Sequence, residues 1–354
     1  MKTFQKSLLK TAVMAALVGG LGMTSAHADP LKVVGSFTII SDLVKNVGGD
    51  HVKVETVVGP DVDLHHFELK PSTMKILQGK GDDEVKLFFV NGLELEPWAT
   101  KLKEAADFKG QTVVVSEGVQ TIANTHEHEH EHEGHDHDHE GHDHHDHDHH
   151  DHADHDHDHD HEGHDHEHEH AHEGHEHHHH HGAFDPHIWQ SPANAKVMVD
   201  NIAKALEAAD AEHAADYRKN AEAYKDKITK LSDEVKADFD KLPAEQKVLG
   251  TNHEAFAYYV KDFGLKQIAV SGLGDSEPSA QEVAKIMQAL KAQGAKALFL
   301  ENTKNGDLLK QVAKDTGIKI GGTLVSDALT KSGATSSYLG MIEENSKTIL
   351  KALK

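Results

Sequence analysis

From His126 to His181 the chain runs through 56 residues that comprise 29 His, 21 Asp or Glu and six Gly or Ala. No apolar core can be assembled from such a stretch. It is expected to be a disordered loop, because burying its groups would cost more than folding returns. Since the stretch is internal, the folded body must be built from the residues on either side of it. Its 21 carboxylates, with no Lys or Arg among them, supply most of the formal net charge of −24. The rest of the chain is close to neutral and offers no basic surface for nucleic acid.

Residues 1–28 read as a secretory signal peptide. Lys2, Lys6 and Lys10 precede the apolar stretch "TAVMAALVGGLGM", and Ala26 and Ala28 form an A-x-A cleavage pattern. The apolar stretch is short against the roughly 20 residues of a membrane span. The chain has no Cys, which excludes disulfides, thiolate metal sites, thiol nucleophiles and a lipidated N-terminal Cys. An exported, soluble monomer is therefore expected, free in the periplasm and without direct membrane insertion.

Outside the insert, Val-rich strands alternate with amphipathic helices. Strands are predicted at 31–37, 52–58, 85–92 and 111–118. Helices are predicted over "TIISDLVKNVGGD", "KPSTMKILQGK" and "EPWATKLKEAADF". After the insert comes the helix "SPANAKVMVDNIAKALEAAD". A long amphipathic helix follows, with apolar or small residues at Ala214, Tyr217, Ala221, Tyr224, Ile228, Leu231, Val235 and Leu242, stopped by Pro243. A second alternating series then runs to the C-terminus, with strands at 246–252, 266–272, 295–302 and 318–324. One helix in it covers "HEAFAYYVKDFG", and another opens on a Ser279/Glu282 capping box. The expected fold is α/β. It has an N-terminal lobe over 29–190 that contains the insert 126–181, helices over 191–242, and a C-terminal lobe over 243–354. Each lobe is a mainly parallel sheet flanked by helices, and a single helix makes a stiff connection between them.

Six His lie outside the signal peptide and the insert. His51, in a polar turn, and His213, at the start of the long helix, are expected to be exposed side chains. His65, His66, His187 and His253 sit in "GPDVDLHHFELKPS", "FDPHIWQSP" and "GTNHEAFAYY", on loops of a kind that place ligands beyond the carboxyl ends of strands. Asp327, in "VSDALT", follows the last strand and can add an oxygen donor, although an Asp there is commonly a helix cap. Together these residues point to a metal site.

The stretches "GPDVDLHHFELKPS", "VNGLELEPW", "DPHIWQSPANA", "TNHEAFAYY" and "GGTLVSDAL", in this order, resemble the cluster A-I solute-binding proteins of bacterial metal-ion ABC importers. They are most similar to the periplasmic zinc-binding proteins, which carry a His-rich insert at the same place. The resemblance spans nearly the whole mature chain. It implies two lobes joined by a rigid helix with a metal site in the cleft between them. His65 matches the first metal His, and His66 takes the next, non-ligand position. His187 matches the second metal His, and His253 falls where zinc members have His and manganese members typically have Glu. Asp327 matches an acidic ligand that varies among zinc members, some of which use another carboxylate or water. The segment "GDDEVKLFFVNG" departs from the plainer apolar strand entry of the family.

Three imidazoles and a carboxylate suit tetrahedral zinc, while manganese favours oxygen-rich, often six-coordinate shells. Copper and nickel also take imidazole. The expectation is one tight Zn2+ in the cleft, additional weak sites in the insert, and delivery to the ABC permease of a zinc importer. Loading by a periplasmic metallochaperone is left open, as are a manganese or other divalent cargo and a metal-buffer or adhesin role. An enzyme is not expected. "HEAFA" starts like H-E-x-x-H but has Ala257 at the second His position, and neither G-x-S-x-G nor a G-x-x-x-x-G-K-[ST] loop occurs.

Overall fold

The computed structural model describes residues 29–79, 81, 84–124, 182–273 and 277–354. The signal-peptide reading of 1–28 and the loop reading of 126–181 fall outside them. The order of elements is β1 (Leu31–Phe37), α1 (Thr38–Gly48), β2 (Val52–Val58), β3 (Leu87–Val90), α2 (Ala99–Ala105) and β4 (Gln111–Val114). Then come α3 (Pro192–Ala209), α4 (Ala214–Asp240), β5 (Val248–His253), α5 (Ala257–Phe263) and β6 (Lys266–Ser271). The chain closes with α6 (Ala280–Ala292), β7 (Ala297–Glu301), α7 (Asp307–Thr316), β8 (Lys319–Leu324) and α8 (Tyr338–Leu353).

The strands form two four-stranded sheets ordered β2-β1-β3-β4 and β6-β5-β7-β8. Every pairing is parallel. The two inner strands nearest each crossover, β1 and β5, are buried on both faces, as are β3 and most of β7. That explains why their sequences read as continuous apolar runs rather than alternating ones. Gly35 in β1 is required by close packing, since a Cβ there would stand 2.3 Å from Ser41 Oγ on α1.

Helix α4 is 27 residues long, about 40 Å at 1.5 Å per residue. Its buried row is Tyr217, Ala221, Tyr224, Ile228, Val235 and Phe239. Phe239 fills the gap that the sequence pattern left before Leu242. Near its start, Asn220 donates to Val47 O of α1 at 3.0 Å. Near its end, Phe239 packs on Tyr259 and Phe263 of α5, with ring centroids 6.2 and 5.8 Å apart. A single helix thus grips both halves, and one apolar core runs through them; a smaller cluster lies under α6 and α7. Asn345 of α8 pins the end of β8 by bonding both the N–H and the C=O of Val325.

Two sequence expectations need correction. The segment "KPSTMKILQGK" forms only a short 3-10 turn at Thr73–Lys75, because so short a stretch without a continuing apolar row cannot sustain a helix. The stretch from His253 is not helical from its start: β5 continues through His253, and α5 begins at Ala257. The strand ladder wins there because β5 is buried throughout. Among the described residues, no helix is long and apolar enough to cross a membrane.

Candidate metal centre

The end of β2 leads into a loop held by Asp61 and Asp63. Asp61 accepts from Asn302 Nδ2 at 3.1 Å and from the Lys331 N–H at 3.3 Å, and its own N–H donates to Leu329 O at 3.2 Å. The loop is thereby fastened to the opposite half of the molecule. Asp63 Oδ1 accepts from the His65 N–H at 2.9 Å, which turns the His65 ring inward. His66 points away: its ring is exposed and meets Asp63 Oδ2 at 3.0 Å.

His187 arrives on the segment that returns from the insert. There Ala123 and Phe184 form an antiparallel bridge. The Asn124 N–H donates to Ala183 O at 3.0 Å, and the Asp185 N–H to Ile122 O at 2.9 Å. The two flanks of residues 126–181 are therefore clamped side by side. Asp185 Oδ1 then takes the His187 N–H at 2.9 Å and stands 2.7 Å from Nδ1, which turns Nε2 towards His65 and Asp327. Two residues on, Trp189 Nε1 and Gln190 Nε2 both donate to Ser326 O at 2.8 Å. That carbonyl directly precedes Asp327, so the same short segment orients one donor and anchors the backbone of another.

His253 is the last residue of β5, and Glu301 is the last residue of the neighbouring β7. Glu301 Oε1 accepts from the His253 N–H at 2.9 Å, and Oε2 stands 2.6 Å from Nδ1. Asp327 lies three residues beyond β8 and is fully buried.

These paths converge. His65, His187, His253 and Asp327 each offer a donor atom, and the four atoms lie within 4.8 Å of one another. His65 Nε2 is 3.2 Å from His187 Nε2. Asp327 Oδ2 is 3.3 Å from His253 Nε2 and 3.7 Å from His65 Nε2, and Oδ1 is 3.7 Å from His187 Nε2. His253 Nε2 and both Asp327 oxygens are buried without a well-aligned hydrogen-bond partner. Unsatisfied buried polar atoms are rare and costly, and these three atoms, grouped with the Nε2 atoms of His65 and His187, fit a cation between them.

The electrostatics agree. Burial pushes His65 well below its usual range, so its ring is kept neutral, ready to donate a lone pair. At His253 burial also acts downward, but the Glu301 and Asp327 carboxylates outweigh it and raise the ring to about 10. Burial alone would raise Asp327; the His253 charge and Lys304 outweigh it and hold the carboxyl well below its usual range.

Sequence reasoning missed Asp185, Glu301, Asp63 and Lys304, which surround the four donors. Asp185 was within reach, since an Asp two residues before a His is a ready acceptor for its N–H. Glu301 obeys the same strand-end rule as His253. Lys304 gives no local signal. His51 and His213, expected to be exposed side chains, are instead half-buried, stacked with centroids 3.9 Å apart and facing Asp216 and Asp210.

Comparison with known proteins gives the class, a metal-ion solute-binding protein of the kind that works with a membrane permease in ABC transport. Residues 33–352 match the family described as zinc-uptake complex component A, periplasmic, and the chain belongs to that family. Among curated relatives, it is 28% identical over 347 residues to the iron-binding protein YfeA of Yersinia pestis, covering 98% of this chain and 92% of that one. It is 27% identical over 353 residues to the manganese ABC transporter substrate-binding lipoprotein PsaA of Streptococcus mitis, covering 98% and 96%. Among solved structures, the periplasmic zinc-binding protein TroA of Treponema pallidum superposes with a TM-score of 0.70 at 22% identity, covering 92% of this chain and 99% of that one. The periplasmic metal-binding protein of Candidatus Liberibacter asiaticus gives 0.69 at 23%, covering 92% and 100%. At these identities the structural likeness establishes the fold alone.

Proposed function

We propose that this protein captures Zn2+ through His65, His187, His253 and Asp327 and passes it to the permease of a zinc importer, without catalysis. The observation that carries the reading is the donor set. For zinc with bonds of about 2.0–2.1 Å, the edge of a tetrahedron is roughly 3.3–3.4 Å. Four separations among these groups, 3.2 to 3.7 Å, lie near that edge, and the whole donor set lies within 4.8 Å. Three imidazoles to one carboxylate also favour zinc over manganese. The relatives named for iron and manganese support a second reading, in which one of those ions is the cargo.

Export to the periplasm through residues 1–28 fits this role. The absence of Cys favours a form without the lipid anchor that the streptococcal relatives' names record. In this reading the lobes 29–190 and 243–354 hold the ion between them, and the helices over 191–242 connect them. The insert is proposed to be a collector with several weak sites. Its flanks end beside Asp185 and His187, so metal gathered there is released close to the cleft.

Calorimetric titration of chains with and without residues 126–181 tests the reading. The shortened chain is expected to retain one tight Zn2+ and lose the weaker ones, with Mn2+ and Fe2+ binding less tightly than Zn2+. Tighter Mn2+ or Fe2+ binding by the shortened chain would replace zinc by the second reading.

A further inference from the structure

Lys304 lies three residues past the end of β7, and its side chain is 1% exposed. Nζ stands 3.0 Å from Asp63 Oδ1 and 3.6 Å from Asp327 Oδ2. Asp63 positions the His65 backbone from one half of the molecule, and Asp327 supplies the carboxylate donor from the other. A fixed cation therefore sits against the one anionic donor of the site and leaves the three imidazole nitrogens to face the metal.

We infer that Lys304 is a specificity-determining residue, whose ammonium compromises Asp327 as an oxygen donor and thereby disfavours cations that need oxygen-rich shells. The inference rests on the reading of the cleft as a divalent-metal site. Repulsion between the ammonium and a bound divalent ion lowers affinity for every metal. Discrimination arises from where Lys304 acts. It stands 3.6 Å from Oδ2, the Asp327 oxygen that also faces His253 and His65 Nε2, and so offsets the charge that Asp327 can offer a cation through its oxygens. Zinc is satisfied by four ligands, three of them nitrogen. Manganese depends more on carboxylate oxygens and on a higher coordination number, so it loses more.

The test is titration of the full chain with Zn2+ and with Mn2+ at buffered free concentrations. Cleft occupancy is read from Trp fluorescence: Trp189 is buried with its ring 5.3 Å from that of His187, and the insert contains no Trp. Electron paramagnetic resonance of bound Mn2+ gives a second readout. Lys304→Met removes the charge and keeps most of the stem; Lys304→Gln is a second neutral variant should the first fail to fold. Lys304→Arg keeps the charge. The neutral variants are expected to gain affinity for both ions, with the gain for Mn2+ exceeding that for Zn2+ by about tenfold or more. Lys304→Arg should hold the ratio near that of the native chain. Equal gains for the two ions, or no gain, would overturn the inference. A native chain that prefers Mn2+, but whose neutral variants still shift the ratio as described, would overturn the zinc cargo and leave the role of Lys304 standing. A native chain that bound neither ion in the cleft would overturn both.

Discussion

The two sheets share one strand order, yet the two halves of the molecule present their donors differently. In the C-terminal half, His253 and its partner Glu301 are the last residues of adjacent strands, β5 and β7, both fully buried. The sheet itself sets their separation. In the N-terminal half, His65 rides on a loop beyond β2, and its ring keeps a 5% exposure where His253 and Asp327 have none. Its position depends on Asp63 and on the bonds that Asp61 makes across to residues 302, 329 and 331. The difference separates a wall set by the sheet from a wall set by loop bonds, and the loop donor keeps its place only through the bonds of Asp61 and Asp63.

The largest expected effects come from removing one His from each wall. His253→Ala should abolish tight binding and also destabilise the metal-free protein, because Glu301 and Asp327 lose a buried positive partner. Breaking a buried pair of this kind costs about 3–5 kcal/mol. His65→Ala should abolish tight binding with a much smaller stability change, since its ring is held neutral and stands 3.7 Å from Asp327 Oδ2. Urea unfolding of the two metal-free variants compares them, and equal losses of stability would erase the contrast between walls.

Next in size are the carboxylates that orient the rings. Glu301→Gln and Asp185→Asn should each lower zinc affinity about 10–100-fold, the usual range for partners behind a ligating His. Glu301→Gln should show the larger loss of stability as well, because it faces a charged ring. A competitive chelator assay on both variants checks this; unchanged affinity in either removes that carboxylate from the account.

The smallest effect concerns protons, and the two walls should respond with opposite sign. His253 is raised to about 10. In the metal-free protein, its contribution to stability is therefore fully present below the ordinary His value of about 6.5 and is lost as pH rises towards 10. His65 is lowered, so it erodes stability as pH falls below about 6.5. Metal binding at about pH 8 must displace the proton of His253 and none from His65. Calorimetry in buffers of different ionisation enthalpy should report release of the His253 proton on metal binding. Release of none would show that His253 is already neutral.

Much of this is legible in the sequence, for identifiable reasons. Parallel strands buried on both faces leave unbroken apolar runs, so β1, β3, β5 and β7 announce themselves. The three-four spacing of α4 does the same for the long helix. His65, His187, His253 and Asp327 can be singled out because strand-to-loop junctions are few and His is rare outside the insert. The short turn at Thr73–Lys75 misleads because Pro71 and Ser72 imitate a helix start with no amphipathic row behind them. Glu301 and Lys304 stay hidden because their roles exist only across the sheet or between the two halves. No local pattern marks a carboxylate as the partner of a His 48 residues away.

The central claim is that three imidazoles and one carboxylate enclose a zinc ion in the cleft. X-ray absorption at the zinc edge, on the chain lacking 126–181 and loaded with one equivalent of Zn2+, tests it most directly. The account predicts a shell of nitrogen and oxygen donors at about 2.0–2.1 Å, with scattering from three imidazole rings, and the loss of one ring's contribution in His65→Ala. A six-coordinate, mainly oxygen shell, or a spectrum unchanged by His65→Ala, would contradict it.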